Sequence, residues 1–99
     1  MSIFKIARYK IRPDARDAVE QAMREFAKYV AFELGDTSWI TYRDAHDPDT
    51  YVSLIRADDE AADQRHREAV GTRQFVDALY PHVIGSVEFT DYEPVASSR

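Results

Sequence analysis

Apolar residues change their spacing several times along the chain, and each change marks an element. From residue 3 to 11, "IFKIARYKI" puts Ile3, Ala7, Tyr9 and Ile11 at odd positions and Phe4 and Ile6 at even ones. This is the two-residue period of a strand with apolar character on both faces. The period then lengthens. Val19, Met23, Phe26, Ala27, Val30 and Leu34 form a stripe at helical spacing. A helix is therefore expected from "RPDARD" onward, with Pro13 in its first turn, Asp14 or Asp17 satisfying free N–H groups, and Gly35 just past its end. Trp39 to Arg43 and Tyr51 to Arg56 read as the strands of a hairpin, joined by the Asp- and Pro-containing turn at 44–50.

Asp58 and Asp59 open a second helix, their charges favourably placed at its positive end, and Gly71 is expected to stop it. Thr72 then caps a continuation with Phe75, Leu79 and Val83 spaced by four, closed by Pro81 and Gly85. "SVEFTDYEPV" forms the last strand, with Val87 and Phe89 on one face and Thr90 and Tyr92 near the other. The order β-α-β-β-α-β predicts an α+β, ferredoxin-like fold: a four-stranded antiparallel sheet with both helices on one face. A single domain is expected over residues 1–95, with a loose tail at 96–99. Ile6, Tyr42 and Tyr92 make the uncovered face apolar where a solvated sheet would be polar, so a homodimer packed sheet against sheet is expected.

Composition narrows the function. At 99 residues the chain supports one modest core. Its thirteen Lys and Arg are scattered among eighteen Asp and Glu, for a net charge of −5, with no basic stripe to follow a phosphate backbone. Nucleic acid is not an expected partner. The absence of cysteine excludes a disulfide framework, a zinc–thiolate site and a thiol nucleophile, and agrees with a reducing cytoplasm. The N-terminal segment lacks the apolar run of a signal peptide, and nowhere do about eighteen apolar residues run together, so neither export nor a membrane partner is expected.

The candidate chemistry centres on "ADQRHREAVGTRQF". Ala62, His66, Ala69 and Val70 share one helical stripe, so His66 points inward. Arg65 and Arg67 flank it toward solvent, where Asp63–Arg67 and Arg65–Glu68 pairs can form. An inward histidine has two readings. It is a hydrogen-bonded core residue, or else a group that titrates near pH ~6.5 and serves as acceptor, base or metal ligand. The small Ala62 and Ala69 beside it leave either close helix–sheet contact or a cavity. Phe26, Trp39, Tyr42, Tyr51 and Phe75 could line such a cavity, with Leu79 turned toward the same region; the alternative for these aromatics is core and dimer-interface packing. His46, Asp47 and Asp49 sit close together, but turn chemistry explains them and no distant histidine pair completes a coordination sphere, so no metal is expected. No phosphate-binding glycine loop, nucleotide fingerprint or Gly-x-Ser-x-Gly elbow is present.

Nearly the whole chain resembles the antibiotic biosynthesis monooxygenase (ABM) family. The resemblance rests on the "ARYKIRPDARDAVEQA" strand-to-helix opening, the "SWITYRDAHDPDTYV" hairpin, "ADDEAADQRHREAVGTRQF" with its helix histidine and downstream aromatic, and the closing "VEFTDYEPV". It implies a dimeric α+β barrel that oxygenates an electron-rich phenol, hydroquinone or anthrone-like polycycle with O₂, with no cofactor. His66 would be the base or proton shuttle; Trp39, Tyr42 and Phe75 would position the ring. The chain departs from the family at Ala69, where a serine often stands three residues after the histidine. Haem-degrading relatives of the same fold combine their helix histidine with a strand-1 asparagine and a tryptophan ending strand 3; this chain has no asparagine, and "SLIRA" has no tryptophan. A third reading is a non-enzymatic dimer that binds an aromatic metabolite.

Overall fold

In a computed structural model, which describes residues 2–98, the chain runs β1 (Ile3–Ile11), α1 (Arg16–Glu33), β2 (Thr37–Arg43), β3 (Thr50–Ala57), α2 (Glu60–Glu68), α3 (Val70–Leu79) and β4 (Val83–Tyr92). Short 3-10 turns at Pro13–Ala15 and Tyr80–His82 lead into α1 and β4. The strands form one antiparallel sheet in the order β2-β3-β1-β4, with the helices on one face. This is the ferredoxin-like α+β arrangement that the spacing predicts.

Strand alternation sorts the residues between faces. Ala7, Tyr9 and Ile11 of β1 are buried toward the helices, level with Ser53 and Tyr51 of the neighbouring β3. They pack with Val19 and Met23 of α1 and with Leu79 of α3. Farther along α1, Phe26, Val30 and Leu34 form a second cluster against Trp39, Ala69 and Phe75. Ala27 is exposed, contrary to its place in the sequence stripe, because it falls at the edge of the arc that Val19 and Phe26 define.

The boundaries of the helical elements differ from expectation in ways that matter for the site. Pro13 starts a 3-10 turn, and no side chain caps α1; Gly35 follows the helix without a left-handed backbone. Asp59 does cap α2, accepting from Ala62 N–H at 2.8 Å. The break between α2 and α3 falls at Ala69, whose extended ψ of 141° interrupts the helix, and not at Gly71. Gly71 lies inside α3, where a Cβ would come within 2.4 Å of the Tyr29 ring, so it is a point of close helix–helix approach. Thr72 is no cap; Ala69 holds that position. Gly85 likewise does not end a helix. With φ of 76° it sits in β4 where the pairing with β1 slips between Arg8 and Lys10, a bulge that needs the left-handed region.

The opposite face of the sheet carries Ile40, Tyr42, Leu54, Ile84 and Tyr92, all exposed. Beyond Tyr92 no regular element occurs through residue 98; Arg99, the end of the expected tail, lies outside the described residues. Among the described residues no helix is long and apolar enough to cross a membrane.

Candidate functional site

Between the helices and the sheet lies a cavity of about 480 Å³. Its floor owes its depth to two small residues at adjoining positions: Ala7 of β1 stands opposite Ser53 of β3, and no large side chain rises from either. Tyr9, Ile55, Val87 and Phe89 surround them. Ala62, by contrast, is wholly buried and absent from the cavity wall, so it provides close helix–sheet contact and not the hollow. The helical side is built by Phe26 of α1, by Asp63, His66 and Arg67 of α2, and by Thr72, Phe75, Val76 and Leu79 of α3.

Three aromatic rings make one wall. Phe26 and Phe75 stack with centroids 4.6 Å apart and planes only 4° from parallel. Trp39 stands edge-on to both, at 5.0 Å and 5.4 Å with interplanar angles of 76° and 72°. Such offset-stacked and edge-to-face pairs are the favoured arrangements of aromatic quadrupoles. The His66 ring completes the group, 5.9 Å from Phe26. The extended backbone at Ala69 lets α2 and α3 bring His66 and Phe75 to the same cavity from separate axes.

His66 is 6% exposed, and its Nδ1 has no hydrogen-bond partner among the described residues. Burial pushes its pKa below the ordinary histidine value; Asp63 opposes that shift, while Lys5 and Arg67 reinforce it. The imidazole is therefore neutral at pH 7, with a lone pair to accept a proton. Asp63 is buried and holds Lys5 Nζ at 3.0 Å and an Arg67 guanidinium N–H. Three side chains thus place two cations and one carboxylate on the wall of a cavity whose polar lining also includes Ser53, Thr72 and Asp91.

A chain of hydroxyls lies across the floor. Thr41 donates to the Val52 carbonyl at 3.3 Å and Ser53 donates to Thr41 at 3.0 Å. Each hydroxyl has one proton, so Tyr9 must be the donor in its 2.9 Å bond to Ser53. Burial raises the Tyr9 pKa, and the bond with Ser53 only partly offsets this, so Tyr9 is a neutral phenol at pH 7.

Of the residues singled out from sequence, Phe26, Trp39, His66, Phe75 and Leu79 come together at the cavity, and two do not. Tyr42 points to the opposite face and is 53% exposed, because strand alternation separates it from Trp39 by an odd number of residues. Tyr51 is on the helical face but is buried beside α1; its hydroxyl donates to Glu20 at 2.6 Å and its ring stacks on Tyr9. Glu20 also holds Arg43 at 2.8 Å, which makes this a structural cluster. Sequence reasoning missed Lys5, Tyr9, Ser53, Asp63 and Thr72. Asp63 alone carried a local signal, since it precedes His66 by three and so shares its helical face. In the 44–50 turn, the Asp44 carboxylate accepts from the His46 and Asp47 N–H groups, and Asp47 accepts from Asp49 N–H and the Thr50 hydroxyl.

The sequence profile described as antibiotic biosynthesis monooxygenase (ABM) matches residues 2–78. Among solved structures, Rv0793 from Mycobacterium tuberculosis aligns over 100% of both chains with a TM-score of 0.87 and 21% identity. A structure described as an antibiotic biosynthesis monooxygenase covers 95% of this chain and 99% of its own, with a TM-score of 0.86 and 21% identity. A conserved protein from Methanosarcina mazei covers 93% and 91% with a TM-score of 0.85 and 15% identity. At these identities the structural likeness is one of fold. No curated protein matches the sequence.

Proposed function

Because this chain belongs to the antibiotic biosynthesis monooxygenase family, we propose that it oxidises an electron-rich aromatic, a hydroquinone, phenol or anthrone-like polycycle, with O₂ in the cavity under α2 and α3. One observation carries the reading: a buried imidazole, its Nδ1 without a partner among the described residues, opens onto a cavity of about 480 Å³ walled by Phe26, Trp39 and Phe75. That volume lies within the range that holds a small organic ligand. The rings stack on the substrate, and His66 takes a proton from a phenol or an activated C–H, leaving an electron-rich anion that O₂ can oxidise. The reaction balances without an external reductant. For an anthrone, the methylene loses two hydrogens and gains one oxygen as a carbonyl; the second oxygen leaves as water. For a hydroquinone, a ring C–H becomes C–OH and two further hydrogens leave with the second oxygen, giving a hydroxyquinone and water. Tyr42 and Tyr51 have no part in this pocket.

Oxygen uptake by metal-stripped protein, measured against a panel of hydroquinones and anthrones, tests the reading. The expected result is uptake above the spontaneous rate with one equivalent of oxygenated product for each O₂. Tight binding of these compounds with no uptake would replace the enzyme with an aromatic-metabolite carrier.

The uncovered sheet face is assigned in this reading to a second copy of the chain. Ile40, Tyr42, Leu54, Ile84 and Tyr92 are each at least 37% exposed and share that face. An exposed apolar surface of this kind calls for a partner. Sedimentation of the native protein should give twice the chain mass, and Tyr42→Asp with Ile40→Lys should give the monomer. A native protein that sediments as a monomer at micromolar concentration removes the dimer.

A further inference from the structure

The cavity floor has a direction. Thr41 of β2, Ser53 of β3, Ala7 of β1 and Phe89 of β4 fall in one row across the sheet, each opposite the next. The row starts on the outer strand β4, where Phe89 is 59% exposed, passes over Ala7, and reaches Ser53, which is 3% exposed. Three hydroxyls meet at that inner end: Tyr9 with Ser53 at 2.9 Å, Ser53 with Thr41 at 3.0 Å, and Thr41 with the Val52 carbonyl at 3.3 Å. A carbonyl oxygen can only accept, so the Thr41 proton is committed to it; Thr41 then accepts from Ser53, and Ser53 accepts from Tyr9. The carbonyl at the far end thus fixes the direction of every bond, and no hydroxyl proton is left over. Lone pairs do remain, because Tyr9 occupies only one of the two on Ser53 Oγ and the Tyr9 oxygen accepts nothing within the chain. Tyr9 and Ser53 belong to the cavity wall, whereas Thr41 does not.

We propose that Tyr9 and Ser53 form an acceptor-only subsite at the inner end of the cavity, which takes a phenol O–H of an aromatic ligand and refuses a carbonyl in the same place, with Thr41 as the positioning residue that keeps the hydroxyl protons turned away. A ring that enters past Phe89 and lies over Ala7 points its leading substituent at Ser53. An O–H there finds a lone pair. A carbonyl or ether oxygen meets other oxygen lone pairs with no proton between them, and an unmatched polar contact in a buried site weakens binding by about 10-fold or more. This subsite rests on the reading above only for the kind of molecule in the cavity, an oxygenated aromatic; it does not require the oxidation. Where oxidation occurs, the subsite favours the reduced phenol, and a carbonyl formed at that position loosens the hold on the product.

Calorimetric titration under argon with three ligands of one skeleton tests the subsite: α-naphthol, its methyl ether and α-tetralone present an O–H, a capped oxygen and a carbonyl. The native protein should bind α-naphthol about 10-fold or more tighter than either of the others. His66 can also accept a phenol proton, so the deciding comparison is with Thr41→Val, which leaves His66 and the cavity wall as they are. In that variant the Ser53 proton loses its acceptor and is free to turn toward the cavity, and the preference for α-naphthol over α-tetralone should fall to about threefold or less. A merely structural role for Thr41 would weaken all three ligands together and leave their ratio unchanged. Ser53→Ala frees the Tyr9 proton instead and should lower the same ratio, which decides the matter if Thr41→Val does not fold. Equal binding of the three ligands by the native protein, binding of none, or an unchanged ratio in the variants overturns the proposal. The native preference together with no O₂ uptake would end the oxidation reading and leave the subsite in place.

Discussion

Replacing His66 with alanine should lower aerobic oxidation of the best hydroquinone or anthrone by about 100-fold or more while leaving the protein folded, since a positioned base contributes at least that much. The fold should tolerate the change. His66 makes no hydrogen bond to any described residue, so its removal orphans no partner and enlarges a cavity that already exists. The native protein should also show a characteristic pH dependence. Burial holds the His66 pKa below the usual value, so the imidazole stays unprotonated to lower pH than an exposed histidine does. The rate limb governed by its protonation therefore lies on the acid side of pH ~6.5, and activity is lost as pH falls through it. His66→Ala should lack that limb. Equal rates for the two proteins, in the presence of a clear native activity, would take His66 out of the mechanism.

The parts of this site that are legible in the sequence are those that depend on one element at a time. The stripe through Val19, Met23, Phe26 and Val30 specifies the inner face of α1, and the spacing from Ala62 to His66 turns the histidine inward, because helical geometry alone decides both. The cavity depends on strand register. Ala7 and Ser53 are ordinary small residues until β1 and β3 pair so that they meet, and nothing local reports that they will. Tyr42 lies on the wrong face for the cavity, and its sequence context hides this for a related reason: its strand is apolar on both sides, at Trp39 and at Ile40, so alternation in hydrophobicity does not indicate which side holds the helices. Spacing makes Asp63 half of a solvent-side pair with Arg67. The pair exists, yet the carboxylate itself is buried and reaches Lys5, an interaction across 58 residues that a helical wheel does not contain. Gly71 shows the same confusion between local and tertiary causes. Its sequence context resembles a helix stop, whereas the structure uses it for lack of a side chain.

Gly71→Ala should consequently destabilise the protein, against the usual direction for a helix interior. In an exposed helix, exchanging glycine for alanine gains up to about 1 kcal/mol. Here the added Cβ would lie 2.4, 2.5 and 2.6 Å from Cε1, Cδ1 and Cγ of Tyr29. Contact with Cγ decides the sign, because rotating the ring about its own axis does not move that atom; the whole side chain has to swing. Tyr29 stacks on Phe26 with centroids 6.5 Å apart, and Phe26 stacks on Phe75, so the displacement passes directly to the aromatic wall of the cavity. Overpacking of this kind typically costs about 1–3 kcal/mol. For a domain of this size each 1 kcal/mol lowers the melting temperature by roughly 4–8 °C. Thermal unfolding of Gly71→Ala should thus begin several degrees below the native protein. In a Tyr29→Ala background, where the obstructing ring is gone, the same Gly71→Ala exchange should cost little or nothing. A Gly71→Ala protein as stable as the native one would mean that α1 and α3 separate without cost, and that the aromatic wall is not held by their contact.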